Sequence, residues 1–278
     1  MDEKQKKIIL SALQEDGYNN DITTMNLIDR SKMLSGNFVA KSAGIISGID
    51  VAMETFKIVN PKIEFVIHKP NGTYVTRGCV IATVSGPMRD ILRAERIALN
   101  FLQRMSGIAT TTNQFVQEVK GTNCTILDTR KTTPLLRSFE RQAVRDGGGE
   151  NHRFNLSDRV LIKDNHIAAV GSITEAVKLA KSKVDPSILI EVEVETKEEF
   201  LEALATECDI IMLDNMNNDL MKELVEINNH QKKLEASGNM MLKRVRSVAL
   251  LGVDYISVGA LTHSYKSLDI SLKFYKGL

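Results

Sequence analysis

The chain has 278 residues, with 36 Lys plus Arg against 35 Asp plus Glu. The formal charge of +1 lacks the basic excess of a protein that binds nucleic acid or anionic membranes, so we expect neither partner. Hydrophobic residues make up 43% and charged residues 26% of the chain. These ordinary values exclude disordered, collagen-like and coiled-coil classes.

The cysteines and the N-terminus predict a cytoplasmic protein. Cys79, Cys124 and Cys208 are an odd number without a close pair, which fits neither a disulfide framework nor a structural zinc site. The apolar run at residues 8–10 soon meets Gln14, too early for the core of a signal peptide. No run approaches the ~18 apolar residues of a membrane-spanning helix. We therefore expect the protein to reside in a reducing compartment, the cytoplasm.

The first hundred residues predict a helix followed by short strands. Residues 37–41 and 44–48 read as two small strands around a turn. Residues 64–68 and 74–76 are apolar or β-branched, and Pro70-Asn71-Gly72 lies between them. Because Asn and Gly tolerate positive φ, this arrangement predicts a hairpin.

A long amphipathic helix is predicted from Met88 onward, where apolar residues recur at helical spacing. Arg89, Arg93 and Arg96 fall together on another face of this helix. Such a basic stripe usually marks a helix face that is exposed to solvent.

After Gly107 the sequence becomes an alternation of strands and helices. Six apolar strand cores are predicted, at residues 125–128, 160–163, 188–194, 210–214, 234–236 and 255–259. The intervals leave room for one helix each, so the strands should be parallel. Either a (β/α) barrel or a doubly wound sheet would satisfy the pattern, and the position of the polar residues favours the barrel.

Polar groups follow the C-terminal ends of these strands, where parallel α/β folds build their binding sites. They are Asp128 to Lys131, Lys163 to Asn165, Glu191 to Glu195, Asp214-Asn215, Ser237-Gly238 and Gly259. Glu191, Glu193 and Glu195 alternate with valines and so project from one strand face. Carboxylates there are costly to bury unless cations or a metal compensate them; the alternative is a strand with one solvated face.

Cations accompany these carboxylates. They are Arg130 and Lys131, then His152 and Arg153 after a triple glycine, then Lys163. Arginine forks and mobile lysines suit a polyanionic ligand. Together with Glu193 and Asp214, which would prefer Mg²⁺ or sugar hydroxyls, they suggest a phosphorylated sugar held with a metal. The last two strands end in glycines, where barrels often bind phosphate.

Several segments together resemble the quinolinate phosphoribosyltransferases, the decarboxylating enzymes of NAD synthesis. They are RAERIALNFLQRMSGIAT from Arg93, LDTRKTTP from Leu127, AVRDGGGENHR from Ala143, LSDRVLIKDNHI from Leu156, IEVEVET from Ile190, IMLDNM from Ile211, EASGNM from Glu235 and DYISVGALTHS from Asp254. The resemblance covers nearly the whole chain. Leu135 and Asn239 depart from it, because each stands where the family commonly has glycine.

The resemblance implies a fold and a division of the chain. Residues 1–107 would form an N-terminal α/β sandwich domain, and residues 108–278 an incomplete (β/α) barrel domain that carries the catalytic residues. A last helix would pack back on the N-terminal domain. Six strand units suit an incomplete barrel better than a complete barrel of eight.

The resemblance also implies residue roles. Arg130, His152, Arg153 and Lys163 would bind the carboxylates of quinolinate, with Arg96 joining from a partner subunit and Thr129 also binding substrate. Lys131, Glu193 and Asp214 would be catalytic: Lys131 between quinolinate and pyrophosphate, the two carboxylates on the ribose hydroxyls and Mg²⁺. The 5′-phosphate would lie against Ser237, Gly238, Asn239 and Gly259.

The implied reaction joins quinolinate to phosphoribosyl pyrophosphate with decarboxylation, in a homodimer or larger assembly with shared active sites. Two alternatives stay open. A paralogue associated with molybdenum utilisation shares much of the pattern, and fold does not settle substrate. A binding or regulatory protein on the same scaffold would be expected to have lost residues such as Lys131 or Glu193, and both are present.

Overall fold

The computed structural model describes residues 1–274, which contain eleven α-helices and twelve β-strands. The helices are α1 (Glu3–Glu15), α2 (Ile22–Leu27), α3 (Ile49–Val59), α4 (Met88–Val119), α5 (Arg137–Asp146), α6 (Asp164–Val170), α7 (Ile173–Lys183), α8 (Lys197–Leu204), α9 (Asn218–Asn228), α10 (Leu242–Ala249) and α11 (Ala260–His263). The strands are β1 (Met33–Ala40), β2 (Gly44–Ile45), β3 (Glu64–Ile67), β4 (Tyr74–Val75), β5 (Val80–Pro87), β6 (Thr125–Leu127), β7 (Val160–Ile162), β8 (Ile190–Val194), β9 (Ile210–Asp214), β10 (Lys233–Ser237), β11 (Tyr255–Ser257) and β12 (Ile270–Phe274). No helix within these residues is both long enough and apolar enough to cross a bilayer.

The chain divides into two compact units. The first comprises Met1–Asn113, Thr132–Gly148 and the described residues from Tyr265 onward, and the second comprises Gln114–Lys131 and Gly149–Ser264. This differs from a single division at residue 107, because two later segments return to the first unit.

The first unit is built on an antiparallel sheet with the strand order β12-β1-β5-β3. Alternate residues of β1 and β5 are buried, as expected for strands with one face on a core. Phe38 of β1, Phe56 of α3 and Phe65 of β3 form an aromatic cluster with ring centroids 5.6 to 5.9 Å apart. Apolar burial by this sheet and its helices therefore stabilises the unit.

The predicted hairpin at residues 64–76 is wrong. β3 pairs with β5, and β4 pairs with β2. The turn residues explain the difference, because Asn71 bonds the start of α3: its Oδ1 accepts the Ile49 N–H at 3.1 Å and its Nδ2 donates to Asp50 at 2.9 Å. These tertiary contacts outweigh the local preference for a hairpin.

The chain's last described element is a strand, where a helix was expected. β12 pairs antiparallel with β1, with Leu272 opposite Phe38. Ile270 and Leu272 are buried while Lys273 is exposed, so the segment follows the strand period. The expected return to the N-terminal part of the chain is therefore made by an edge strand of its sheet.

The helix predicted from Met88 is α4, and its basic stripe is not uniform. Arg89 Nε donates to the Ile28 carbonyl at 2.7 Å, and Arg93 forms an ion pair with Asp90. Arg96 is exposed. The first two arginines therefore have structural contacts within the first unit, and Arg96 presents its side chain to solvent.

The second unit contains a parallel sheet in the order β6-β11-β10-β9-β8-β7. β7 to β11 follow one another in sequence order, and β6 lies beside β11. A doubly wound sheet would instead reverse direction about its first strand. The strands wind one way with an opening between β6 and β7, so the prediction of an incomplete (β/α) barrel is confirmed.

Both departures from the family pattern lie in left-handed backbone. Leu135 has φ 67° and Asn239 has φ 50°. Asn tolerates this region, but a leucine there is strained by ~1–2 kcal/mol. Leu135 is 77% exposed, so its side chain recovers little of this cost by packing.

Leu135→Gly should therefore stabilise the protein. The extra freedom of glycine in the unfolded chain offsets about 0.5–1 kcal/mol of the relieved strain, which leaves a net gain of up to about 1.5 kcal/mol in the free energy of unfolding. Urea denaturation measures it. Leu135→Ala is the control, because it keeps the strained conformation and should gain nothing. A Leu135→Gly variant less stable than Leu135→Ala would contradict this interpretation.

Candidate active site

A cavity of about 460 Å³ opens at the C-terminal ends of the parallel strands. Its lining consists of Thr129, Arg130, Lys131, His152, Arg153, Leu161, Lys163, Glu193, Met212, Asp214, Asn215, Glu235, Ser237, Gly238, Asn239 and Ser257. All belong to the second unit. The volume is that of a pocket for a small ligand.

Eleven residues proposed from the sequence meet in this cavity. They are Thr129, Arg130, Lys131, His152, Arg153, Lys163, Glu193, Asp214, Ser237, Gly238 and Asn239. Two proposed residues are not in its lining: Arg96, which is an exposed residue of α4 in the first unit, and Gly259, which caps α11. Gly259 nevertheless lies against Lys131, because a Cβ there would be 3.1 Å from Lys131 Cδ.

Two arginines, Arg130 and Arg153, line the cavity and bring positive charge to it. Burial, and after it the charge of Arg130, lower the pKa of Arg153 from its usual value. The Arg153 Nη1 donates to the Arg159 carbonyl at 3.2 Å, which directs the guanidinium. Like charges held this close favour a bound anion, and the planar forks match carboxylates or phosphates.

Lys163 and Glu193 form an ion pair within the cavity. Lys163 follows β7 and Glu193 lies on the adjacent strand β8, so the parallel register brings them together. Glu193 is 14% exposed and Lys163 42%. From the sequence, Lys163 and Glu193 were expected to bind different ligands. In the structure they bind each other, so each balances the other's charge inside the cavity. An anionic ligand could take the place of Glu193 beside Lys163.

Asp214 is held by a short chain of amides at the ends of β9 and β10. Asn215 Nδ2 donates to Asp214 Oδ2 at 2.8 Å, and Asn239 Nδ2 donates to Asn215 Oδ1 at 3.1 Å. Asn215 N–H also donates to the Ser237 carbonyl at 3.1 Å. These bonds fix the Asp214 carboxylate relative to the loop that follows β10.

That loop depends on Gly238. Its φ is 84°, and a Cβ would lie 2.2 Å from Asn215 Oδ1 and 2.8 Å from the Asn215 backbone nitrogen. A side chain at this position therefore meets backbone that cannot rotate away. The close approach holds the turn of Ser237 to Asn239, which lines the cavity, against Asn215.

Lys131 has a main chain held from two sides. Its N–H donates to Thr129 Oγ1 at 3.1 Å, and its carbonyl accepts from Thr262 Oγ1 at 2.8 Å. The Lys131 side chain therefore extends into the cavity from a fixed base.

Two buried carboxylates and a histidine lie together beside the cavity, and two of the three, His152 and Glu235, belong to its lining. His152 Nε2 lies 3.1 Å from Glu191 Oε2 and 3.4 Å from Glu235 Oε2, and both glutamates are fully buried. Arg159 Nη1 also contacts Glu191 Oε2, at 3.3 Å. The histidine–glutamate contacts are charge contacts rather than hydrogen bonds, because His152 Nε2 and both Glu235 oxygens make no hydrogen bond among the described residues.

The protonation of this cluster follows from its contacts. Burial raises the pKa of Glu191, but His152 and Arg159 outweigh it and lower the net pKa. Burial and the charge of Glu191 raise the pKa of Glu235. The pKa values of the two carboxyl groups are therefore shifted in opposite directions, that of Glu191 toward the ionised form and that of Glu235 toward the protonated form.

His152 is subject to two opposing demands. Burial lowers its pKa, but the two glutamates raise it to about 9, which on charge alone would make it an imidazolium at neutral pH. Against this, the Arg153 N–H donates to Nδ1 at 2.7 Å, so Nδ1 must present a lone pair. The direct hydrogen bond is the tighter constraint, and it assigns the ring proton to Nε2.

Glu193 and Asp214 fit a Mg²⁺ that arrives with a phosphate-bearing ligand. Across residues 1–274, the group of three possible ligands found close together is His152, Glu191 and Glu235. Glu193 and Asp214 are thus a pair of carboxylates without a third such ligand from the described chain. Mg²⁺ is ordinarily held by one or two carboxylates with substrate phosphates and water completing its shell, so this pair suits it.

Sequence reasoning missed part of this site. Glu235 lines the cavity, and Asn215, which was placed among the polar strand ends, was given no role of its own. The sequence analysis gave Glu193 a role and Glu191 none, although Glu191 is the carboxylate that His152 approaches at 3.1 Å and Arg159 at 3.3 Å. The signal was the alternation of Glu191, Glu193 and Glu195, but the alternation does not reveal which of the three is buried.

Comparisons with known proteins point to one family. The family model "Quinolinate phosphoribosyl transferase, C-terminal domain" matches residues 108–273, and its N-terminal counterpart matches residues 21–106. A probable nicotinate-nucleotide pyrophosphorylase (carboxylating) of Bacillus subtilis is 43% identical over 267 residues, covering 96% of this chain and 92% of that protein.

Solved structures are similar over nearly the whole chain. NadC from Streptococcus pyogenes has a TM-score of 0.93 at 39% identity, covering 97% of this chain and 96% of that one. The nicotinate-nucleotide pyrophosphorylase from Francisella tularensis has a TM-score of 0.94 at 36% identity, covering 98% and 96%.

Gly238→Ala should destabilise the protein more than positive φ alone explains. Gly121 is the matched control, because its φ is also 84° and no atom of the described chain lies within 4 Å of the point that a Cβ would occupy. Gly238→Ala should lose at least about 1 kcal/mol more than Gly121→Ala in urea denaturation, since it adds a backbone clash to the same strain. Equal losses would show that the loop accommodates the methyl group.

Proposed function

The chain belongs to the quinolinate phosphoribosyltransferase family, and we propose that it performs that family's reaction in NAD synthesis. It joins quinolinate to phosphoribosyl pyrophosphate with loss of one carboxylate. The products are nicotinate mononucleotide, pyrophosphate and carbon dioxide.

One observation carries the proposal: cationic residues, carboxylates and a glycine turn line a single cavity. Arg130, Arg153 and Lys163, here called the cationic side, supply the positive charge, and Glu193 and Asp214 line the same cavity. A dicarboxylate and a phosphorylated sugar need both kinds of residue within reach of each other. The arrangement therefore supports a transfer between two such substrates.

Quinolinate would bind on the cationic side. Its two adjacent carboxylates match the paired guanidinium groups of Arg130 and Arg153, and Lys163 adds a mobile point charge. Because Lys163 is already paired with Glu193, quinolinate would take over a cation whose charge is balanced within the protein. Binding would then leave Glu193 without its lysine partner and available to another cation.

The sugar would bind on the other side. Glu193 and Asp214 would hold the ribose hydroxyls and Mg²⁺, and the turn from Ser237 to Asn239, with Gly259, would receive the 5′-phosphate. Asn215 supports this role for Asp214, because its amide orients the carboxylate. A bound Mg²⁺ would neutralise charge on the leaving pyrophosphate.

The chemistry needs no protein nucleophile. The pyridine nitrogen attacks the anomeric carbon as the bond to pyrophosphate breaks, and Lys131 stabilises the charge that develops on the leaving group. The cationic ring then accepts the electron pair released when the adjacent carboxylate departs as carbon dioxide, and a proton takes the vacated position. The protein's contribution is to orient that carboxylate and exclude water.

We propose that Arg96 completes the site from a partner subunit of a homodimer. Arg96 is exposed on α4, and the residues lining the cavity all come from the second unit. A two-fold arrangement would supply one Arg96 to each of two cavities through a single type of contact. We also propose a cytoplasmic location, which the three free cysteines support.

The direct test supplies quinolinate, phosphoribosyl pyrophosphate and Mg²⁺ and follows nicotinate mononucleotide and carbon dioxide. We expect both products in equal amounts, and no product with nicotinate in place of quinolinate. Arg153→Ala should weaken quinolinate binding at least about 30-fold by calorimetry, because it leaves a carboxylate desolvated and unpaired at a cost of ~2–5 kcal/mol. An unchanged affinity would refute the assignment of the cationic side.

Glu193→Gln should separate the two substrates. We expect turnover to fall about 10- to 100-fold, since hydrogen bonds to a charged group contribute ~1.5–3 kcal/mol. Quinolinate affinity without the sugar should hold or improve, because Lys163 loses its competing partner. Asp214→Asn is the matched comparison: it should lower turnover without any gain in quinolinate affinity. Normal turnover of both variants at saturating Mg²⁺ would make these carboxylates structural.

A complementation experiment tests the shared site. Arg96→Ala and Arg130→Ala homodimers should each be nearly inactive. In a heterodimer, one cavity carries both changes and the other carries neither, so up to about half of the activity should return. Native mass spectrometry verifies the mixed species. No recovery in confirmed heterodimers would mean that Arg96 does not act across a subunit boundary.

A further inference from the structure

We propose that Asn239 is a positioning residue whose side-chain amide, acting through Asn215, orients the carboxylate of Asp214. The inference deepens the proposed function and rests on it, because Asp214 is the residue assigned there to the ribose hydroxyls and Mg²⁺. It also gives a reason for one of the two departures from the family pattern, which commonly has glycine at position 239.

The first support is a chain of hydrogen bonds that runs in one direction. Asn239 Nδ2 donates to Asn215 Oδ1 at 3.1 Å, and Asn215 Nδ2 donates to Asp214 Oδ2 at 2.8 Å. An ionised carboxylate only accepts hydrogen bonds, so the NH₂ group of Asn215 must face Asp214 and its oxygen must face Asn239. A half-turn of the Asn215 amide would oppose two oxygens at Asp214 and two NH₂ groups at Asn239. The donor on Asn239 therefore fixes which end of the Asn215 amide meets Asp214.

The second support is that neither the backbone nor the packing requires an asparagine at position 239. The φ of Asn239 is 50°, a conformation that glycine adopts with less strain. The residue is exposed, so burial gives its side chain no role in the core. Within residues 1–274, the hydrogen bond that its side chain makes is the one to Asn215. What this side chain adds to a glycine is therefore a donor for Asn215.

The third support is the space that Gly238 leaves for the Asn215 amide. A Cβ on Gly238 would lie 2.2 Å from Asn215 Oδ1, so the oxygen that accepts from Asn239 occupies the place of a missing side chain. The main-chain N–H of Asn215 also donates to the Ser237 carbonyl at 3.1 Å. The Asn215 amide is therefore held against the turn that would receive the 5′-phosphate.

The chain of amides joins two parts of the protein that would bind one substrate. Asp214 ends β9, and the parallel pairing of β9 with β10 places it opposite Ser237, at the start of the turn. The ribose hydroxyls and the 5′-phosphate belong to the same sugar, so the carboxylate and the turn must keep a fixed separation. A carboxylate that is oriented before the sugar arrives costs less to order on binding. The effect of Asn239 should therefore fall on phosphoribosyl pyrophosphate and not on quinolinate.

Asn239→Gly tests the proposal, because it removes the amide from a backbone that glycine tolerates. We expect the KM for phosphoribosyl pyrophosphate to rise about 2- to 10-fold, the equivalent of one hydrogen bond, and the dissociation constant of quinolinate to stay within about twofold by calorimetry. Asn229→Gly is the matched control, since Asn229 has φ 42° at the end of α9 and is not in the cavity lining. It should leave both constants unchanged.

A double-mutant cycle with Asn215→Gly separates positioning from direct binding of phosphate by the second proton of the Asn239 NH₂ group. Glycine tolerates the φ of 54° at position 215 and keeps the main-chain N–H, so only the amide is removed. If Asn239 acts through Asn215, adding Asn239→Gly to this variant should raise the KM no further. An equal rise in both backgrounds would make Asn239 a direct ligand, and no rise in wild-type background would make it dispensable. Either result contradicts the proposal.

NMR of the protein without substrates gives a readout that is independent of turnover. In protein labelled with ¹⁵N-asparagine, the Asn215 NH₂ signals are identified by their loss in Asn215→Gly. We expect Asn239→Gly to move these signals toward those of a solvated asparagine, and Asn229→Gly to leave them in place. Unchanged Asn215 signals would overturn the inference. Should Asn239→Gly not fold, Asn239→Asp replaces it with the same expectation, because Asp tolerates this backbone and presents no donor to Asn215.

This inference and the proposed function fail in different ways. If wild-type protein forms no product from quinolinate and phosphoribosyl pyrophosphate, the proposed function fails, whereas the NMR signals still report on the contact between Asn239 and Asn215. If wild-type protein forms product, but the KM or the Asn215 signals do not respond to Asn239→Gly, only the positioning role fails.

Discussion

The burial of two carboxylates on the parallel strands of the second unit constrains the rest of the site. Glu191 and Glu235 are fully buried on β8 and β10, with β9 between them. A buried carboxylate is tolerated when it is neutralised or paired. The structure uses both solutions, since Glu235 has a raised pKa and Glu191 contacts His152 and Arg159. Cationic residues are therefore required here for stability before any ligand binds.

The same residues then organise the cavity above them. His152 and Arg159, the two partners of Glu191, are also the two holders of Arg153. Within the cavity, the charge of Lys163 is balanced by its ion pair with Glu193. The charges that a dicarboxylate needs are thus fixed in advance by carboxylates of the protein, so a ligand meets a preorganised surface that costs little to order. In this unit, the contacts that compensate the buried carboxylates also position the residues that would bind the ligand.

The sequence predicted the site better than it predicted the first unit. Parallel strands end on one edge of a sheet, so residues after β6, β7 and β9 had to converge wherever the helices between them packed. The strands of the first unit have no such constraint, and Asn71, a good hairpin residue, bonds the start of α3 instead. Likewise, no local pattern shows that Glu191 is buried and Glu195 exposed, or that Lys163 and Glu193 are partners. These depend on distances between segments that are remote in sequence.

A crystal structure of the protein with quinolinate bound would test this preorganised arrangement most directly. We predict both carboxylates of quinolinate against Arg130, Arg153 and Lys163, with Lys163 released from Glu193. Quinolinate bound outside the cavity, or Lys163 still paired with Glu193 in that complex, would contradict the arrangement.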